Sequence, residues 1–95
     1  MAHTIEKLMS ISRAEFEASL TAFDPDAHFD AADRATASAG GVTAIIHFDA
    51  LPGIILGGLL AMPQARVRIT LPACTGAQCA AFLRQFDIAF QRGGG

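Results

Sequence analysis

The part of the chain that most constrains its fold is residues 42–71, VTAIIHFDALPGIILGGLLAMPQARVRITL. Its C-terminal end alternates, with apolar side chains at Ala65, Val67, Ile69 and Leu71 and polar ones at Arg66, Arg68 and Thr70. Because successive side chains of a strand point to opposite faces, this end predicts a strand with one buried face and one basic face in water. Residues 42–49 alternate less strictly and predict another strand.

Residues 54–62, between these two segments, are apolar without alternation. A strand that is apolar on both faces is usually covered on both. The glycine pair inside it, Gly57-Gly58, is typical of a bulge or of a close approach by another backbone. A short helix is the alternative, but the glycine pair and the flanking Pro52 and Pro63 disfavour it. The whole stretch therefore predicts three short strands.

Two amphipathic helices flank the predicted strands. Ser12 and Glu15 fit a capping box, in which each side chain satisfies a free backbone amide at the helix start, and Thr75 with Gln78 repeats that pattern. Helical spacing then gives each helix one apolar stripe. The stripes consist of Phe16, Leu20 and Phe23 in the first helix and of Cys79, Phe82, Leu83, Phe86 and Phe90 in the second. We predict helices at residues 13–23 and 76–92.

Together these elements predict a two-layer α+β fold in the order α-β-β-β-α. A three-stranded antiparallel meander is packed on one face by the N-terminal and the C-terminal helix. The length fits a single small domain, residues 1–95. Residues 24–41 are predicted to form a long loop of the kind that often carries function, with a short strand at 35–38 as an option. Residues 93–95 are predicted to form a flexible tail, and residues 1–11 a strand or an extension on the core.

Composition narrows the class of protein. With 52% hydrophobic and 17% charged residues, the chain is too apolar to be mainly disordered. It also carries more apolar surface than a small domain buries by itself. No segment has the ~20 apolar residues of a membrane-spanning helix, and no secretory signal is visible at the N-terminus. Cys74 and Cys79 are too few for a disulfide scaffold, so we predict reduced cysteines and a cytoplasmic protein.

Arg66 and Arg68 are the candidate anion-binding residues, with Arg84 as a third. The planar guanidinium fork suits phosphate and carboxylate groups. The alternative is a solvated strand face whose charges keep a sheet edge from aggregating. Nucleic acid is not a predicted partner, because the chain has no Trp or Tyr for base stacking and a pI of about 5.8.

An acidic run in the predicted loop is the candidate metal site. It consists of Asp24, Asp26, His28 and Asp30. Carboxylate oxygens bind hard cations, and a histidine widens the choice to transition metals. The spacing does not fit a calcium loop, because Phe29 and Ala35 stand where that loop needs glycine and glutamate. A solvated acidic loop without a metal is the alternative.

No catalytic residues and no cofactor are predicted. His47 and Asp49 share a strand face and could pair as acid–base machinery, and Cys74 before a helix could supply a thiolate. Ordinary surface and core positions explain these residues equally well, and the chain contains no G-x-S-x-G nucleophile motif. We therefore do not predict an enzyme.

The chain ends in Gly93-Gly94-Gly95, which resembles the Gly-Gly tails of ubiquitin-like sulfur carriers. That resemblance implies activation of the C-terminus as an adenylate. The sequence departs from those carriers in one respect, since their tail follows a strand and this one follows a predicted helix. A glycine that simply ends the helix is the alternative.

Self-association is the leading functional hypothesis. Two helices cover only one face of a three-stranded sheet, and the other face would leave a large apolar patch in water. A two-fold homodimer is the commonest assembly that hides such a patch. The predicted interface residues are Ile54, Ile55, Leu56, Leu59, Leu60 and Met62. The rival is that residues 1–11 or 24–41 cover that face, or that another protein does. The predicted function is a structural or adaptor module without catalytic activity.

Overall fold

The structure is a computed structural model that describes residues 3–58 and 60–94; for His3, Leu56, Leu60 and residues 91–94 it describes the backbone only. The elements along the chain are β1 (His3–Met9), α1 (Arg13–Phe23), β2 (Arg34–Ala39), β3 (Val42–Leu56), β4 (Leu60–Leu71) and α2 (Gly76–Gly94). The strands form one antiparallel sheet in the order β1-β4-β3-β2. The predicted α+β class is confirmed, whereas the sheet has four strands instead of three.

The apolar stretch at 54–62 is not a strand of its own, because β3 and β4 both run into it and meet at a turn. Gly57 and Gly58 lie in that turn with φ angles of 62° and 73°, a conformation that only glycine adopts without strain. The predicted bulge at this glycine pair was therefore wrong. The register of the two strands shifts instead between Leu51 and Ile54.

The other two strands come from segments with weak sequence signals. β2 lies inside the predicted loop 24–41, and its alternating side chains are small: Ala35 and Ala37 face the core, while Thr36 and Ser38 face solvent. β1 uses the N-terminal segment and pairs with β4. Each of these two strands extends the sheet sideways and does not lie over its second face.

Both helices begin as predicted and pack on one face of the sheet. Ser12 Oγ accepts from the amide of Glu15 at 3.2 Å, and Glu15 Oε1 accepts from the amide of Ser12 at 3.1 Å. That second hydrogen bond holds the pKa of Glu15 below its ordinary value. Thr75 and Gln78 make the same pair of bonds at the start of α2. The helix continues to Gly94, two residues past its predicted end. Gly95 lies outside the described residues.

The core is a layer of phenylalanines between the helices and the sheet. The side chain of Phe16 has its ring centroid 4.9 Å from that of Phe48 on β3 and 4.8 Å from that of Phe90 on α2. Both predicted helical stripes are confirmed as core, with Phe23 and Leu83 at its rim. They pack over the apolar faces of the central strands, which include Val67 and Ile69.

The central hairpin is longer than its neighbours. Partners on β2 reach only to His47 of β3, and partners on β1 reach only to Ala65 of β4. Residues 50–58 and 60–64 therefore extend past the four-stranded sheet as a two-stranded hairpin, which we call the arm. The molecule is correspondingly elongated, with extents of 46 × 27 × 23 Å.

The segment between α1 and β2 is tied to the domain by Arg13. Its Nη1 donates to Asp33 Oδ1 at 2.6 Å, and its guanidinium lies 4.1 Å from the centre of the Phe29 ring. The bond to the Asp33 carboxylate raises the pKa of Arg13 above its ordinary value. A cation over an aromatic ring stabilises a fold by roughly 0.5–1 kcal/mol at an exposed site.

Cys74 and Cys79 form a disulfide that joins the segment before α2 to the first turns of that helix. The prediction of reduced cysteines was therefore wrong, since spacing in the sequence does not reveal that the two Cα atoms lie 6.2 Å apart. Disulfides persist mainly in oxidising compartments. The cysteines thus no longer support a cytoplasmic location, which stays a prediction.

Candidate interaction surfaces

The face of the sheet that points away from the helices, which we call the open face, is charged in its centre. Strand register aligns one row across it: Glu6, Arg68, His47 and Arg34. A second row holds Leu8, Arg66 and Asp49. The expectation of an apolar second face was wrong for the sheet itself, because the polar positions of all four strands meet there. Leu8 and Ile45 are the large apolar side chains exposed on this face among the described residues.

Arg66 is neutralised by neighbours on both sides. Its Nε lies 3.5 Å from Glu6 Oε1 on β1, and its Nη1 lies 3.8 Å from Asp49 Oδ2 on β3. An arginine with two carboxylates beside it has little attraction left for a further anion. Of the two predicted anion ligands on β4, Arg66 is thus the weaker candidate.

Arg68 has a different environment. Its Nη2 donates to His47 Nδ1 at 3.0 Å, so the direct partner of this guanidinium is an imidazole nitrogen. Within the described part of the chain, no carboxylate oxygen lies within 4.0 Å of the Arg68 guanidinium. Arg34 is the next cation along the row, paired with Asp30 at 3.7 Å. The charge of Arg68 is therefore uncompensated and exposed.

Arg84 does not join these residues. It is exposed on α2, in the helix layer on the other side of the sheet from Arg68. His47 and Arg34 take its place beside Arg68, and sequence analysis missed them as partners because register between strands cannot be read from one sequence. The alternation of residues 42–49 was the available signal for placing His47 on the polar face.

Two aspartates of the acidic run before β2 accept hydrogen bonds from backbone amides. Asp24 Oδ1 accepts from the amide of Asp26 at 3.0 Å, and Asp24 Oδ2 accepts from the amide of Ser38 at 2.8 Å. Asp30 Oδ1 accepts from the amides of Ala32 at 2.8 Å and Arg34 at 3.1 Å. Asp26 and His28 are exposed. Across residues 3–58 and 60–94, no three His, Cys, Asp or Glu side chains are placed to share a metal ion.

The amides of Arg34 and Ala32 also hold the pKa of Asp30 below its ordinary value. Since the folded pKa is the lower one, the ionised carboxylate stabilises the fold at a pH above the ordinary range of an aspartate. That contribution is lost as the pH falls through the lowered pKa. The role visible for Asp30 is thus to shape the turn into β2.

The residues considered for catalysis make other contacts in the structure. His47 bonds to Arg68 and Asp49 lies beside Arg66, so the two share a face without pairing in the way acid–base chemistry requires. The sulfur of Cys74 is in the disulfide and is not a free thiol. The expectation of no catalytic residues stays a prediction.

The arm carries the largest run without charge. Between Ala50 and Ala65 the sequence contains no Asp, Glu, Lys or Arg, and the side chains of Ile54 and Ile55 are 46% and 69% exposed. Ile54 pairs with Met62, and Leu56 pairs with Leu60 through the backbone. Leu59, the remaining residue of the predicted interface, lies outside the described residues.

A second uncharged surface lies between the helices. An open groove on their outer side is lined by three alanines, Ala18, Ala22 and Ala89, together with Ser19, Phe23, Gln85 and Ile88. Ile88 is 56% exposed, because it lies on the side of α2 turned away from the buried stripe that includes Phe82 and Phe86. A second depression, beside β2, is lined by charged groups that include Asp26, Asp30 and Arg34.

Neither helix has the length and apolarity that crossing a bilayer requires, as far as the described residues go. Comparison of the chain with protein-family models, with curated proteins and with solved structures found no match.

Proposed function

We propose that this protein is a small structural module that associates with a second copy of itself through the arm. The observation that carries the proposal is the pair of exposed isoleucines, Ile54 and Ile55, in a hairpin with no charged residue. Full burial of an isoleucine side chain stabilises by about 1.5–3 kcal/mol relative to exposure. Leaving both in water forgoes that stabilisation, so a partner surface is favoured.

The edges of the arm support the same conclusion. Beyond His47 no strand of the described chain pairs with the outer edge of β3, and beyond Ala65 none pairs with that of β4. Exposed, uncharged, apolar strand edges aggregate unless something covers them. Pro52 and Pro63 interrupt the two edges, which limits open-ended stacking of strands and leaves a closed assembly as the consistent outcome.

A two-fold arrangement suits the second copy as partner, because each contact made once by the arm is then repeated by symmetry. The test is co-expression of two versions of the chain with different affinity tags. Purification through one tag is expected to recover both versions. Recovery of the tagged version alone, at concentrations where both are present in the extract, would argue that the arm contacts another molecule instead of a second copy.

Binding of a small anion at Arg68 is the second candidate function. An exposed guanidinium bonded to an imidazole nitrogen, with no carboxylate in contact among the described residues, suits a carboxylate or a phosphate group. Glu6 and Asp49 lie on the same face but contact Arg66. Arg34 can add a second fork from the same row.

For this second candidate we expect inorganic phosphate to raise the melting temperature of the wild-type protein and not that of Arg68→Ala. A ligand at 100 times its Kd stabilises by about 2.7 kcal/mol. Arg84→Ala, which removes an exposed arginine from the helix layer, is the control and should keep the full shift. An equal shift in all three proteins would mean that phosphate acts on the whole protein and not at Arg68.

A further inference from the structure

We infer that the arm of one copy lies in the groove between α1 and α2 of the other copy, and reciprocally. This inference rests on the proposed self-association and names the surface that receives the arm. It joins two uncharged surfaces, the arm and the groove, which lie on different elements and do not meet within one chain.

The arm by itself is too small to hold two copies together. An arm of about seven residues per strand is about 23 Å long and about 10 Å wide, given a rise of ~3.3 Å per residue and strands ~4.8 Å apart. One face of it therefore presents about 230 Å². A stable interface buries about 800 Å² on each partner. Even allowing twice the flat area for side-chain relief, two arms packed face to face remain too small, so the arm needs a receiving surface on the body of the partner.

The open face does not fit as the surface that receives the arm. Its centre holds Arg66 and Arg68 with Glu6 and Asp49 around them. Covering these charges with an uncharged hairpin would remove their water without supplying a hydrogen-bonding partner, which is costly for ionised groups.

The sheet edge at β2 does not fit the arm either. The segment before β2 already occupies its outer edge, since Phe29 bridges to Ala35 and the amide of Asp30 donates to the carbonyl of Arg34 at 2.8 Å. The amide of Ser38 is taken by the Asp24 carboxylate. Few backbone amides and carbonyls of this edge are therefore free to pair with a strand of a second copy.

The opposite edge of the sheet, at β1, carries charged side chains. Lys7 on this strand reaches Asp87 of α2 at 3.1 Å, and Glu6 is its neighbour in sequence. Charged side chains, lysine above all, are a common means of keeping a foreign strand off a sheet edge. The β1 edge therefore does not fit an uncharged hairpin.

The groove between the helices matches the arm in each property that the other surfaces lack. All of its lining residues are uncharged. Its alanines are small enough for a backbone to approach closely, and Ile88 gives it an exposed apolar contact. α1, with 11 residues, is about 16 Å long, which is comparable with the arm. Because the arm continues the sheet and the groove opens on the outer side of the helix layer, the arm of the same copy does not reach it.

The test is a cross-link between two variants that each gain one cysteine, Ile55→Cys and Ile88→Cys, carried on differently tagged chains. The native cysteines are joined to each other and do not compete. After mixing and mild oxidation, we expect a disulfide between the two chains, assigned by mass spectrometry of the linked peptides. Ile45→Cys replaces an exposed isoleucine of the open face (48% exposed) and, mixed with Ile55→Cys, should give no such link.

A second measurement separates this inference from the proposed function. Ile88→Asp is expected to weaken self-association roughly tenfold or more, which corresponds to about 1.4 kcal/mol, with an unchanged far-ultraviolet spectrum. If the double variant Ile54→Asp, Ile55→Asp becomes monomeric while Ile88→Asp stays fully associated and no linked peptide joins positions 55 and 88, the groove is wrong and self-association through the arm stands. If the arm variant stays associated, both proposals fall. If Ile88→Asp does not fold, the cross-link alone decides.

Discussion

Replacing Ile54 and Ile55 together by aspartate is expected to leave a particle with the mass of one chain, 9.9 kDa, whereas we expect twice that mass for the wild type. Both side chains lie on the arm and are exposed in the single chain, so the substitution removes nothing from the core. In the associated state it places two carboxylates in an apolar contact without partners, which costs several kcal/mol. Light scattering behind a sizing column gives the mass directly.

The matched control is Leu8→Asp, because Leu8 is as exposed as Ile55 but lies on the open face. That variant should keep the mass of the wild type. If both variants lose association equally, the contact includes the open face and the arm is not its specific element. If neither does, the exposed isoleucines have another role.

Phe86→Ala is expected to lower the free energy of unfolding by about 3–5 kcal/mol. Phe86 is 0% exposed, stacks on Phe90 with ring centroids 4.1 Å apart, and meets Phe23 edge-on at 5.8 Å. Removing its ring therefore opens a cavity between both helices. Denaturant melts at one fixed protein concentration measure the loss, since the proposed association would itself contribute to stability.

Arg84→Ala is the control on the same helix, because Arg84 is exposed and surface substitutions of this kind stay within about 0.5 kcal/mol. A loss for Phe86→Ala no larger than that of the control would remove Phe86 from the core. It would also mean that α2 presents a different face to the sheet.

The helices could be predicted because their signals are local. Ser12 and Glu15 are three residues apart, and the aromatic stripe of α2 repeats with the helical period, so neither depends on distant parts of the chain. β2 has no comparable signal, since its inward residues, Ala35 and Ala37, are too small to mark a buried face. Their burial follows from pairing with β3, which the sequence does not record.

The hairpin shows a second reason why the fold could not be predicted fully from the sequence. The apolar character of residues 54–62 is plain in the sequence, and by itself it predicts one covered strand. Gly57 and Gly58 instead make a turn with positive φ, so the same residues become the two strands of the arm. The hydrophobicity of a segment indicates that its apolar side chains are to be buried. It does not indicate whether they are buried by residues of the same chain or by another molecule.

The arginines show why the candidate anion-binding site could not be predicted fully from the sequence. Arg66 and Arg68 are equivalent in the sequence pattern, yet one lies between two carboxylates and the other beside a histidine. Only the register across β1, β4 and β3 separates them. Charge alone groups Arg84 with these two residues, whereas the structure has it in the other layer.

The most direct test of self-association is the mass of the wild-type protein in solution across a concentration series from low to high micromolar. Light scattering behind a sizing column should give twice 9.9 kDa at the upper end, with a shift toward one chain only on dilution. A monodisperse particle of 9.9 kDa at every concentration would contradict the proposal that the arm binds a second copy.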